Sequence, residues 1–323
     1  MDKNQLHKLD RASLSFETIE NCPVCTSGQS VSSYTLNKFG CTFQWNQCCG
    51  CGVTYQNPRL TKESLNTLYN SANFWKGSEI ANSSSRILGY DDYLADEEMR
   101  MRNERYKVNR ICRKVVNSGK LMDIACGSGT FLRAASEKGF DVHGIEIGEK
   151  IAQYGREKHG LDIITGDFEE ILLPDNTFDL VTMWNADNIF RLPRNAWGKI
   201  YQSLRPGGYF ILNFLDNRAL NRLFFNIIQI WRDCHSLYVH SKASVNCLRE
   251  STGFESVRFY NQWGFSRVDR IWKVLSYINY HEHIRESGTA NKQGNKWLAF
   301  LIGCKGPVVF LPMPGYYWAV IRK

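Results

Sequence analysis

The sequence predicts an α/β protein: a doubly wound, mostly parallel, seven-stranded sheet of Rossmann-like type, preceded by a small N-terminal ribbon. Three observations carry that prediction. The run Leu121 to Ala135 is an apolar strand ending in an acid, which passes through Gly127 and Gly129 and restarts with helical spacing. Further strand-like runs follow at βα spacing, several of them closing on an acid or an amide. Ahead of them, two Cys-x-x-Cys pairs bracket a short alternating stretch.

The glycine turn is the first element to justify. Gly127 and Gly129 let the backbone take positive φ and come close to a ligand, while free N–H groups at the start of the next helix favour a negative group. The second strand, Phe140 to Ile147, closes on Glu146, about twenty residues past the glycines, where a doubly wound fold places a ribose-binding carboxylate. The third, Leu161 to Thr165, runs into Gly166-Asp167-Phe168, an acid and a ring suited to an adenine. The fourth, Phe178 to Asn185, precedes a helix from Arg194 to Leu204 and a fifth strand from Tyr209 to Phe214. The sixth and seventh are predicted at Glu255 to Gln262 and Tyr316 to Arg322.

Taken together, D-I-A-C-G-S-G-T, the acid after the second strand, G-D-F, F-D-L-V-T-M-W and L-R-P-G-G-Y-F-I-L resemble the class I S-adenosylmethionine-dependent methyltransferase core over about 104 to 264 plus the last strand. The resemblance implies that Gly127 and Gly129 line the methionine and ribose part of S-adenosyl-L-methionine, that Glu146 holds the ribose, and that Asp167 and Phe168 hold the adenine. Asp123, Ala125, Ile147 and Trp184 are assigned to the same cofactor site. A dinucleotide-binding dehydrogenase fits less well, because the third glycine of that fingerprint is replaced by Leu132.

Returning to the N-terminus, Met1 to Phe16 is polar and has no signal-peptide core, so a cytoplasmic protein with reduced thiols is expected. Eleven cysteines then call for something other than disulfides. Cys22, Cys25, Cys48 and Cys51 can close tetrahedrally around one structural Zn²⁺, with no open position for catalysis. Cys49 in place of Cys48 would leave one residue before Cys51 and spoil the knuckle. Val31 to Tyr34 and Thr42 to Trp45 alternate like the strands of a ribbon too small to hold together without metal. Thr61 caps a short helix, and C-P-x-C, C-x-x-C-G, N-P-R and L-Y resemble methyltransferases that carry a zinc ribbon ahead of the class I core. That group is associated with small-molecule, sugar or cell-envelope precursor methylation.

The expected organisation is thus a zinc ribbon over 1–60, a helical and linker region over 61–103, and a methyltransferase domain over 104–323 with a substrate-side insert at about 264–315. Within the middle region, Ser71 to Ser85 reads as a linker and about Asp96 to Asn117 as a charged helix. The helix predicted at Ala219 to Trp231 has an apolar stripe that suits core packing. Ser241 caps another helix ending at Thr252-Gly253. The resembled group carries a His near 235, which makes His235 the first candidate base and His240 the second. Ile189 stands where many relatives have a histidine, so no imidazole is available there, and Asp187 or Asn188 can at most orient a substrate hydroxyl.

The stretch 297–314 is apolar but broken by Lys305 and prolines, so it is no spanning helix; a lid, a peripheral membrane contact or a buried helix are its readings. Charge is uneven: residues 120–215 hold ten Lys or Arg against thirteen Asp or Glu, and residues 216–323 hold fifteen against seven. That excess suits a phosphate-bearing or nucleotide-linked acceptor, an anionic surface or nucleic acid. The function expected is methyl transfer to a small molecule, a sugar or glycan precursor, at oxygen; the alternative is an rRNA or tRNA methyltransferase gripping RNA with the ribbon.

Overall fold

The computed structural model describes residues 14–38, 41–70, 97–217, 235–267 and 308–323. In chain order these form β1 (Phe16–Glu17), β2 (Ser30–Lys38), β3 (Cys41–Cys48), β4 (Thr54–Gln56), β5 (Arg59–Leu60), α1 (Lys62–Asn70), α2 (Glu97–Lys114), β6 (Gly119–Ile124), α3 (Thr130–Ser136), β7 (Phe140–Glu146), α4 (Glu149–His159), β8 (Asp162–Thr165), β9 (Phe178–Met183), α5 (Pro193–Ser203), β10 (Leu204–Leu215), β11 (Tyr238–Val239), α6 (Lys242–Thr252), β12 (Ser256–Arg267) and β13 (Val308–Arg322). The linker at 71–85, the helix predicted at 219–231 and the stretch 268–307 lie outside the described residues.

The large sheet has the order β12-β13-β10-β9-β6-β7-β8. β6, β7, β8, β9 and β10 pair in parallel, while β13 runs antiparallel to both β10 and β12. The central strands are buried on both faces, as Leu121, Met122 and Ile124 of β6 and Leu180, Val181 and Met183 of β9 show. All the parallel strands therefore end at one edge, where the loops can build a site.

The outermost strands run further than their sequence suggests. β12 continues to Arg267 and β13 begins at Val308, pairing in a ribbon that rises past the end of β10, where Leu215 is opposite Tyr316. Pro312 sits in this two-stranded part, beside a register shift at Asn261/Trp263, where no third strand needs its missing N–H.

The N-terminal ribbon is joined to the core by a shared sheet of order β11-β4-β3-β2. Tyr238 and Val239 of the core segment pair with Tyr55 and Thr54 of the ribbon. Val24, Phe43, Val53 and Leu60 of the ribbon bury into the same apolar cluster as Met122, Val181 and Phe210. Arg59 and Arg191 clamp Glu17 at 2.7 and 2.6 Å, and Arg59 also donates to the Arg191 carbonyl. The structured end of α6 is set by Ser241, whose hydroxyl accepts from Ser244 N in a capping box, and by Gly253 in the left-handed region.

Candidate active site

The turn after β6 is built from three left-handed residues: Ala125 at φ 56°, Gly127 at 56° and Gly129 at 75°. At Gly129 the positive φ favours glycine, and a Cβ there would in addition displace Leu161 Cδ1, 2.3 Å away. Ala125 pays the usual penalty of an L-residue in that region, a strain that collects at functional sites.

Glu146 ends the neighbouring strand β7 and is 2 % exposed. Its Oε2 accepts from Gly127 N at 2.8 Å and its Oε1 from Gly148 N at 2.8 Å. Burial raises its pKa while these N–H groups oppose the rise. The Ile147 N–H acts on the carboxylate as well, and the lone-pair capacity that remains can accept from a ribose hydroxyl.

Beside it, one cavity is lined by Ala125 and Ile147 from the first two turns, Asp167 and Phe168 after β8, Ile189 after β9, and Leu65 and Tyr69 of α1. Asp167 accepts from Glu169 N at 2.9 Å, which orders the turn. Phe168 is 5.3 Å from the Phe190 ring and 4.9 Å from Lys199 Nζ, and that ammonium donates to the carbonyls of Phe168, Glu169 and Ile171. A planar, amino-bearing ring would find here an acid, an aromatic face and apolar walls. The sequence placed a helix at α1 but did not place it in the site; Leu65 and Tyr69 carry no signal beyond ordinary amphipathic spacing.

Of the nine assigned residues, Ala125, Ile147, Asp167 and Phe168 line this cavity, whereas Gly127, Gly129, Glu146, Asp123 and Trp184 do not. Asp123 faces the adjacent strand and accepts from Thr182 Oγ1 at 2.7 Å, with burial holding its pKa well above the usual carboxylate range. Trp184 packs against Phe131 and Trp318 with ring centroids 5.1 and 5.0 Å away, and Lys107 Nζ lies 4.5 Å above its ring. Lys107 is itself paired with Glu104 at 2.8 Å.

The two histidines differ in setting. His235 meets the Tyr69 ring at 5.9 Å, edge on, and Tyr69 lines the cavity. His240 is wholly buried, its Nδ1 is 2.9 Å from Ser244 Oγ, and burial pushes its pKa down to about 4. Asp187, in the loop after β9, is 8 % exposed and burial pushes its pKa up to about 7. Sequence alone signals none of this, because burial of a loop acid is a tertiary property.

At the ribbon, the ligand atoms of Cys22, Cys25, Cys48 and Cys51 all lie within 4.8 Å of one another. Cys22 Sγ is 3.7 Å from Cys51 Sγ, and Cys25 Sγ is 3.4 Å from Cys48 Sγ. A tetrahedron with Zn–S bonds of 2.3 Å has edges of about 3.8 Å, so the four thiols fit that ion. Cys49 is exposed and outside the cluster. The second knuckle is held by the core: Ser241 Oγ donates to the Cys51 carbonyl at 2.9 Å, and Asn217 Nδ2 donates to the Gly52 carbonyl at 2.6 Å.

Residues 122–212 match the family model described as a methyltransferase domain. The demethylmenaquinone methyltransferase of Symbiobacterium thermophilum is 39% identical over 102 residues, covering 28% of this chain and 40% of that protein. A phthiotriol/phenolphthiotriol dimycocerosates methyltransferase of Mycobacterium tuberculosis is 30% identical over 123 residues, covering 36% and 44%. The chain thus spans less than half the length of these curated relatives. A S-adenosylmethionine-dependent methyltransferase structure from Archaeoglobus fulgidus superposes with a TM-score of 0.47 at 18% identity, covering 72% of this chain and 99% of that one. Among the described residues, no helix is long and apolar enough to cross a membrane.

Proposed function

We propose that this chain, whose core is a class I methyltransferase domain of the S-adenosylmethionine-dependent type, transfers a methyl group to oxygen of a small molecule, a sugar or cell-envelope precursor. The observation that carries the reading is the cradle of Glu146, fixed by the N–H groups of Gly127 and Gly148 beside a cavity lined by Asp167 and Phe168. When bound, S-adenosylmethionine supplies a methyl group already activated on a sulfonium. The protein then has modest tasks: to hold the ribose at Glu146 and the adenine at Asp167 and Phe168, to align an attacking atom, and to accept its proton.

Of the two histidines, His235 suits proton transfer, being beside Tyr69 at the cavity, whereas the neutral, buried His240 suits a scaffold role. The four thiols hold zinc as a structural ion that ties the ribbon to the sheet, with no part in the chemistry. Curated relatives named for quinone and lipid-related acceptors support a small-molecule substrate.

The test is to profile methylated small molecules by mass spectrometry in cells carrying the wild-type gene, no gene, or His235→Ala. The expected result is a product with one additional O-linked methyl group, present with the wild type and reduced by about 10²-fold or more in the variant at equal protein level. A methylated base in RNA, with no change in small molecules, would contradict the proposal; equal product from His235→Ala would remove that residue's role.

A further inference from the structure

β9, β10 and β12 reach the carboxyl edge of the sheet close together, and three amide side chains meet there. Met183 of β9 is in register with Leu212 of β10 and with Ile124 of β6. Asn213 therefore stands one residue further, level with Ala125 at the start of the glycine turn. It interrupts an apolar run, Phe210-Ile211-Leu212 before it and Phe214 after it, and is 1 % exposed. Its Oδ1 accepts from Asn185 N at 2.6 Å, and its Nδ2 donates to Asn185 Oδ1 at 2.7 Å and to Gln262 Oε1 at 3.0 Å. Both N–H donors of Asn213 are thereby used. These bonds hold Asn185 at φ 56°, exposed at the edge.

Gln262 is left in a different state. It is 7 % exposed, and its oxygen is taken by Asn213. Among the described residues its amide nitrogen donates to the Met313 thioether, 3.1 Å away. Two N–H donors facing one weak acceptor are poorly satisfied for so buried a group, and packing alone would be served better by an apolar side chain. The neighbouring sulfur belongs to an unbranched, adaptable side chain that can withdraw from an incoming group.

We propose that Gln262, oriented by the Asn213 and Asn185 amides, is an acceptor-binding subsite whose Nε2 donates to a carbonyl or hydroxyl oxygen of the molecule that receives the methyl group. The acceptor thus bears an oxygen and is not a bare hydrocarbon chain. This rests on the methyltransferase reading, since it takes the carboxyl edge as the place where methyl donor and acceptor meet.

The experiment uses acetamide as the oxygen-bearing probe on the full-length protein saturated with S-adenosylhomocysteine. The side-chain amide signals of Gln262 are assigned by nuclear magnetic resonance from their loss in Gln262→Leu. Acetamide is expected to shift those signals saturably, and Gln262→Leu is expected to weaken acetamide binding at least about tenfold while changing S-adenosylhomocysteine affinity less than about twofold. Gln262→Glu keeps the shape but cannot donate when ionised, so it should lose acetamide equally and serves if the leucine variant fails to fold. Unshifted Gln262 signals, or equal acetamide binding by wild type and both variants, would overturn the subsite. Failure of the wild type to bind S-adenosylhomocysteine would overturn the underlying methyltransferase reading instead, and the same titration without it then judges the subsite by itself.

Discussion

At the scale of single residues, the interior holds two titratable groups whose burial works in opposite directions. The carboxyl of Asp187 has its pKa raised to about 7, and the imidazole of His240 has its pKa lowered to about 4. The raised acid adds stability while protonated, so its contribution is present below the ordinary carboxylate range and is lost as pH rises through about 7. The lowered histidine does the reverse: unfolded His takes up a proton below its ordinary value near 6.5, so stability falls as pH drops from there toward about 4. Between these limits the two effects oppose. Replacing Asp187 by Asn removes one of them, so Asp187→Asn should gain stability over wild type as pH rises from about 4 to 8, on the order of 2–4 kcal/mol at the upper end. Denaturant unfolding of both proteins across that range checks it; parallel curves would show that Asp187 ionises freely.

At the scale of elements, the sheet was legible because its signals are local. Apolar runs of strand length, the acid that closes them and the glycines between them predict β6, β7, β8, β9 and β10 to within a few residues. The ribbon strands around the thiols were legible from alternation. What escaped is set by partners distant in sequence. Pro312 and Pro314 fall outside the predicted last strand, yet β13 passes through both, because no third strand pairs with it there. The part of α1 in the site was equally hidden: Tyr69 lines the cavity because β4, β5 and the Glu17 clamp deliver the helix to the carboxyl edge. The ribbon thus helps to position α1 beside the cavity. Cys22→Ser should reduce bound zinc from about one ion per chain to a small fraction, lower the melting temperature and weaken S-adenosylhomocysteine binding. Elemental analysis with calorimetry reads all three; full zinc content in the variant would remove Cys22 from the ligand set.

At the scale of the whole molecule, ribbon and core share one apolar cluster and one sheet. The core alone provides the glycine turn, Glu146 and Asp167, which are the features that sequence could name. α1, which follows the ribbon, adds Leu65 and Tyr69 to the cavity lining. Whether the Glu146 cradle binds S-adenosylmethionine is decided by calorimetric titration of wild type and Glu146→Ala with S-adenosylhomocysteine. Micromolar-range binding by the wild type is predicted, with a loss of roughly 1.5–3 kcal/mol in the variant, the scale of charge-assisted hydrogen bonds removed from a buried acid. Equal affinity in the two proteins, or no binding by either, would contradict it.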